Sequence, residues 1–187
     1  MAKADKTARA KALAAEFRNA WDAQYPECEP IGYLLKHAFG KRWVRVHSLP
    51  GGKRYPTTKP EWDELLDRQN RLIDHVVPSH TPIYMVVNST SPDNYIFASF
   101  DLASIGSLRD GDVRLPSYVF ATTWETHTLN PLLTMIAEDV MRAFIVTPHV
   151  LIAPYDGGVD VIARDVHEAG ALKRTFHPWL SPRSDGC

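Results

Sequence analysis

A chain of 187 residues, 44% hydrophobic and 23% charged, has the size and composition of one ordinary globular domain, which argues against disorder and coiled coil. Its net charge of -1 argues against a strongly basic nucleic-acid protein, and no apolar run approaches the roughly 20 residues of a membrane span. The start, Met-Ala-Lys-Ala-Asp-Lys, lacks an apolar leader core, and Cys28 and Cys187 have neither metal-ligand nor redox spacing. A cytoplasmic domain without a disulfide framework is therefore expected.

Residues 4–24 lack Gly and Pro, and Leu13, Phe17, Ala20 and Trp21 recur at helical spacing, so a helix with one packing face is expected. Pro26 and Pro30 interrupt it. Residues 31–39 read as a short helix ended by Gly40. Residues 42–47 alternate, with Val44 and Val46 on one face and Trp43, Arg45 and His47 on the other, as a half-buried strand requires. After the breaker at 49–52, Thr58 and Glu61 stand at capping-box spacing with Pro60 in the first turn. The helix that follows carries Trp62, Leu65, Leu66, Ile73, Val76 and Val77 on one stripe and stops at Pro78.

Strands are expected over 83–87, 95–100 and 118–124. Asn130-Pro131 reads as a cap and first-turn proline, opening a helix with Leu132, Leu133, Ile136 and Val140 inward. Residues 144–146 and 150–153 are apolar strands, and 154–158 turns into a return strand over 159–163, a hairpin. Asp165 and Glu168 suggest a last cap, with Leu172 and Phe176 inward, before an irregular tail. The hairpin implies antiparallel pairing. This order gives an α+β fold, with helices flanking a mixed or antiparallel sheet of four to six strands. An N-terminal helix over 1–25 would precede a single domain over 26–187.

Charge is segregated. Lys36, Lys41, Arg42, Arg45, Lys53, Arg54 and Lys59 lie between Pro30 and Pro60 without one Asp or Glu, interleaved with His37, Trp43, His47 and Tyr55. Such a local field attracts phosphates, nucleic acid or an acidic protein surface, unless distant carboxylates balance it. Arg42, Arg45, His47, Lys53, Arg54 and Tyr55 are the candidate binding residues. Gly51-Gly52-Lys53-Arg54 lacks the pattern of a phosphate loop of the Walker type. Arg45 and His47 have side-chain roots about 7 Å apart on one strand face. His47 as acid or base, Arg45 as stabiliser of negative charge and Asp156 approaching from the hairpin would be the catalytic set of an enzyme. Asp156 and Asp160 flank a turn that wants Asp-Gly-Gly for its own sake. The eight histidines have no metal-ligand spacing, so neither metal nor cofactor is expected.

The segments Trp43-Val44-Arg45-Val46-His47-Ser48-Leu49-Pro50, Lys53-Arg54-Tyr55-Pro56 and the Trp-Asp-Glu-Leu-Leu helix start carry a likeness. With Ala153-Pro154-Tyr155-Asp156-Gly157-Gly158-Val159-Asp160 and Trp179-Leu180-Ser181-Pro182-Arg183, they resemble an uncharacterised bacterial family of unknown function, DUF3885. The likeness runs from Ile31 onward and leaves the N-terminal helix uncovered. It implies one intact domain and brings no catalytic residues or cofactor. Small bacterial α+β domains often serve as binding modules, including immunity proteins, and this analogy shapes the expectation. The leading expectation is a non-enzymatic immunity or antitoxin-type protein that docks on an acidic partner such as a toxin domain, away from membranes. The alternative is an enzyme acting on a phosphate-bearing nucleotide or nucleic acid.

Overall fold

Antiparallel pairing organises the chain. The computed structural model describes residues 3–88 and 100–181. Its strands are β1 Trp43–His47, β2 Pro82–Asn88, β3 Ala103–Asp110, β4 Val113–Thr123, β5 Arg142–Val146, β6 Leu151–Tyr155 and β7 Gly158–Ile162. They form one seven-stranded sheet in the order β1-β7-β6-β5-β2-β4-β3, and every neighbouring pair is antiparallel. The α+β class stands, while the sheet is larger than the expected four to six strands and, of the mixed and antiparallel options, is antiparallel among the described residues. The helices are α1 Lys3–Gln24, α2 Leu35–Ala38, α3 Lys59–Val76, α4 Asn130–Ala137 and α5 Val166–Thr175.

Alternation along the strands divides the interior into two layers. Val44 and Val46, with Met85, Ile145, Ile152, Val159 and Val161, face residues of α3, α4 and α5 such as Leu72, Ile73, Leu133 and Leu172. On the opposite face, Val86, Val119, Phe144, Leu151 and Ile162 meet Phe17 and Trp21 of α1, together with Tyr25, Leu35 and Phe39. The α1 contact is largely aromatic: Trp21 lies 4.8 Å from Tyr25 and 5.9 Å from Phe144 between ring centroids. Trp21 Nε1 donates to the Cys28 carbonyl at 2.7 Å, which fastens the turn after the helix. Burial and its acidic neighbours Glu27 and Glu29 push the Cys28 thiol up to about 11.

The capping box at α3 forms in both directions between Thr58 and Glu61. Glu61 also accepts from Lys53, and that bond, with the Thr57 N–H, holds its carboxyl down to about 2. Asp165 caps α5 by accepting from the Glu168 N–H at 2.8 Å.

Three local expectations are corrected. The short helix expected over 31–39 forms as a 3₁₀ turn over Gly32–Leu34 running into α2, but its C-cap is Phe39, and Gly40 opens a further 3₁₀ turn. Asn130 does not cap α4; it lies within the helix, and its side-chain oxygen accepts from Asn70 Nδ2 at 2.8 Å. Val140 is 59% exposed, because α4 ends earlier, in a Schellman motif. The Val140 N–H reaches the Met135 carbonyl and the Asp139 N–H reaches that of Ile136, with Asp139 at φ 55 in the left-handed position usual for glycine.

Most of the strand expected over 95–100 lies outside the described residues, as do residues 182–187 of the tail. β3 was not foreseen. A bulge between Ser104 and Gly106 shifts its register, so the buried residues pass from odd to even numbers, Ala103 and then Leu108, and simple alternation fails. β4 begins ahead of Pro116 because β2 pairs only with its later part, from Ser117 onward; a missing N–H is tolerated at such an edge.

Within the α3 stripe, Leu65 and Ile73 are fully buried, whereas Trp62 and Leu66 are partly so. Ile73→Ala is expected to cost about 2–5 kcal/mol in urea melts, and Leu66→Ala clearly less. Equal losses would mean that the two positions are equally enclosed.

Candidate functional site

The strand ends build a cleft. Residues 43, 45 and 47 of β1 share a sheet face with 158, 160 and 162 of β7, 153 and 155 of β6, 142 and 144 of β5 and 86 and 88 of β2. Towards Trp43 and Leu151 this face is covered by aromatic packing. At the other end, where β1, β2 and β6 finish and β5 and β7 begin, it opens into a cleft of about 540 Å³. Ala153, Gly157 and Gly32 contribute small surfaces there. Tyr33 and Lys36, Gly52 and Arg54, and Asp139 to Arg142 without Val140 form the surrounding walls.

Two of the basic residues in this lining are already matched. Arg45 stands opposite Asp160 in the β1–β7 register and holds it with both ends of its fork, Nε to Oδ1 at 2.7 Å and Nη2 to Oδ2 at 2.8 Å. Both side chains are nearly buried. The guanidinium also lies over the Tyr155 ring at 4.7 Å and the Trp43 ring at 5.1 Å, a planar fit that a lysine could not reproduce. Arg54 Nε donates to Asp156 Oδ2 at 2.6 Å, and Tyr55 Oη donates to the same oxygen at 2.7 Å. Asp156 is 5% exposed, whereas the Arg54 side chain is 64% exposed. The hydrogen bond to Asp156 raises the affinity of Arg54 for its proton, and Asp139 adds to the effect. The Tyr55 hydroxyl is also pushed up, chiefly by its bond to Asp156.

Of the remaining candidates, His47 lines the cleft, with its ring beside Gly52: a Cβ there would stand 3.8 Å from Cε1. Its ring makes no hydrogen bond among the described residues. Lys53 is paired with Glu61. Arg42 donates to the Arg164 carbonyl at 3.0 Å and lies over Phe39, outside the cleft lining. Within the basic block, Arg45 and Arg54 are thus answered by carboxylates far along the chain, and Lys53 by a local one. Lys59 pairs with Asp63 one helical turn away.

Sequence reasoning did not single out Arg142, Tyr33, Asn88 or Asp139, all of which line the cleft. Arg142 lies over the Tyr33 ring at 5.7 Å. Neither Arg142 nor Lys36 has a carboxylate partner among the described residues. Asn88 is buried and donates to the Pro30 carbonyl at 3.1 Å and to Ser117 Oγ at 2.9 Å. Arg142 stands directly opposite Asn88 across β5 and β2, a neighbourhood that only long-range strand pairing creates. Among the described residues, no group of three or more His, Cys, Asp and Glu could hold a metal ion, and no helix is long and apolar enough to cross a membrane.

The β6–β7 turn fixes the floor of the site. A Cβ on Gly158 would stand 2.2 Å from the Val46 carbonyl oxygen and 3.1 Å from Tyr155 Oη, so β1 and β7 approach this closely only with glycine there. Gly158→Ala is expected to separate the end of β1 from the hairpin and to lower the melting temperature by more than about 5 °C. Accelerated hydrogen exchange at Ser48 N–H, which donates to the Gly157 carbonyl, should accompany the loss. An unchanged melting temperature and unchanged exchange would show that the approach is not restrictive.

Among curated proteins and among solved structures, nothing matches this chain. A family model described as a domain of unknown function, DUF3885, matches residues 31–184. The match takes in β1, the Arg54–Tyr55 loop and the β6–β7 hairpin that carries Asp156 and Asp160, and the chain belongs to the DUF3885 family.

Proposed function

We propose that this domain is a non-catalytic binding module that receives an acidic part of a protein partner at the cleft end of its sheet, the kind of work immunity and antitoxin-type proteins perform. One observation carries the reading. Arg45 and Arg54 are matched by Asp160 and Asp156, while Lys36 and Arg142 bring further positive charge to the same concavity. A surface whose fixed ion pairs set its shape and whose remaining cations face outward suits electrostatic docking. Tyr55, 49% exposed at the rim, supplies an aromatic edge of the type that anchors interfaces.

The second reading, an enzyme for a phosphate-bearing nucleotide or nucleic acid, draws support from His47, Arg45 and Asp156 lining one concavity. Against it, Arg45 and Asp156 are held by partners within the protein, and the His47 ring has no carboxylate or hydroxyl to orient it among the described residues. A general base needs such an arrangement, or a substrate that supplies it.

The test uses the full chain, tagged and recovered from its native host, beside a Lys36→Glu/Arg142→Glu variant with an unchanged circular dichroism spectrum. Recovery of one stoichiometric protein by the parent, and its loss with the variant or at high salt, is the expected result. Recovery of nucleotide or RNA instead of a protein would overturn the reading in favour of the second. Arg45→Glu is unsuitable for this purpose, since it would set a second carboxylate against nearly buried Asp160 and so test folding.

A further inference from the structure

We infer that Lys36 and Arg142 form a seat for one carboxylate, carried by a Glu or Asp side chain in an exposed segment of the partner, with Asn88 Oδ1 accepting a backbone N–H beside it. This rests on the binding reading above and names the group that the cleft receives. Arg142 opens β5 on the cleft face, and its guanidinium is held over the Tyr33 ring. A guanidinium held in this way keeps its fork available at the edge, where a carboxylate accepts two parallel bonds. Lys36 enters from α2, on the Tyr33 side of the same cleft.

Asn88 supplies the complementary polarity. Its amide N–H groups are committed to Pro30 and Ser117, and its Oδ1 has no partner among the described residues. With both donors engaged, Oδ1 is the amide's remaining hydrogen-bonding atom, and a ligand N–H in the cleft can take it in place of water. A peptide bond next to an acidic residue provides one.

The charge count selects the anion. The lining holds four Lys or Arg cations and three Asp carboxylates, which leaves a single positive charge. A carboxylate neutralises it, whereas a phosphate near −2 would add repulsion from Asp139, Asp156 and Asp160. The same balance disfavours a nucleotide, whose phosphates carry more charge than the cleft can match.

The probes are the capped tripeptide acetyl-Gly-Glu-Gly-amide, its Gln counterpart and inorganic phosphate, each titrated into the ¹⁵N-labelled full chain and followed by NMR. The Glu peptide is expected to shift the amides of Tyr33, Lys36, Asn88 and Arg142 saturably, and at least tenfold more tightly than the Gln peptide or phosphate. Arg142→Gln should remove the saturation, and Arg142→Lys should weaken it several-fold, because the lysine keeps the charge and loses the fork. Lys59→Gln, which lies outside the cleft lining and is paired with Asp63, should leave it within about twofold. Equal affinity for the Glu and Gln peptides, tighter binding of phosphate, or an undiminished response in Arg142→Gln would each overturn the seat. An absence of peptide shifts from a protein that still recovers its partner would overturn the seat alone, leaving the binding reading in place.

Discussion

The join between β1 and β7 is the constraint on which the other parts of this end of the molecule depend. β1 comes early in the chain and β7 late, yet they pair residue for residue from Trp43 with Ile162 to His47 with Gly158. Gly158 permits the close approach, since the Val46 carbonyl occupies the space a Cβ would need. Arg45 and Asp160 then meet directly across the ladder. A slip by one residue would send Val44 and Val46 to the cleft face and bury Arg45 and His47 among aliphatic residues, so the hydrophobic pattern and the ion pair specify one register. Once that register is set, His47 reaches the cleft, and the chain leaving β1 is delivered to Asp156 for the Arg54 and Tyr55 contacts.

The pairs differ in what they contribute. Lys59 with Asp63 is an exposed pair one helical turn apart, worth a few tenths of a kcal/mol at most. Arg45 with Asp160 is nearly enclosed. Its attraction is offset by the cost of drying both charges, so its main effect is specificity: either partner left alone is heavily penalised. Arg54 with Asp156 lies between these extremes, a buried carboxylate closed by an exposed guanidinium and a tyrosine hydroxyl. The positive block therefore does not make a uniformly basic surface. Fixed pairs shape its centre, and within the cleft lining the positive charge without a carboxylate partner among the described residues is that of Lys36 and Arg142.

What could be read from the chain followed from how local the physics is. The alternation at 43–47 and the Thr58–Glu61 capping box depend on neighbours a few residues away, and both formed as expected. β3 was hidden because its bulge changes which residues face inward, and the end of α4 because Asp139 takes a position normally marked by glycine. The charge block was visible, but its neutralisation was not. Asp156 and Asp160 stand more than a hundred residues from Arg54 and Arg45, and in sequence they read as turn formers. Arg142 and Asn88 carried no motif at all; only the β2–β5 pairing makes them neighbours.

The central claim is that Arg45 and Asp160 act as one unit that fixes the β1–β7 register. A double-mutant cycle with Arg45→Met and Asp160→Asn, read by urea melts of the full chain, tests it most directly. Each single change should cost about 3–5 kcal/mol by leaving a buried charge without its partner, and the double variant should recover more than about 1 kcal/mol of the summed loss. Strictly additive losses, or single variants within about 0.5 kcal/mol of the parent, would contradict the account.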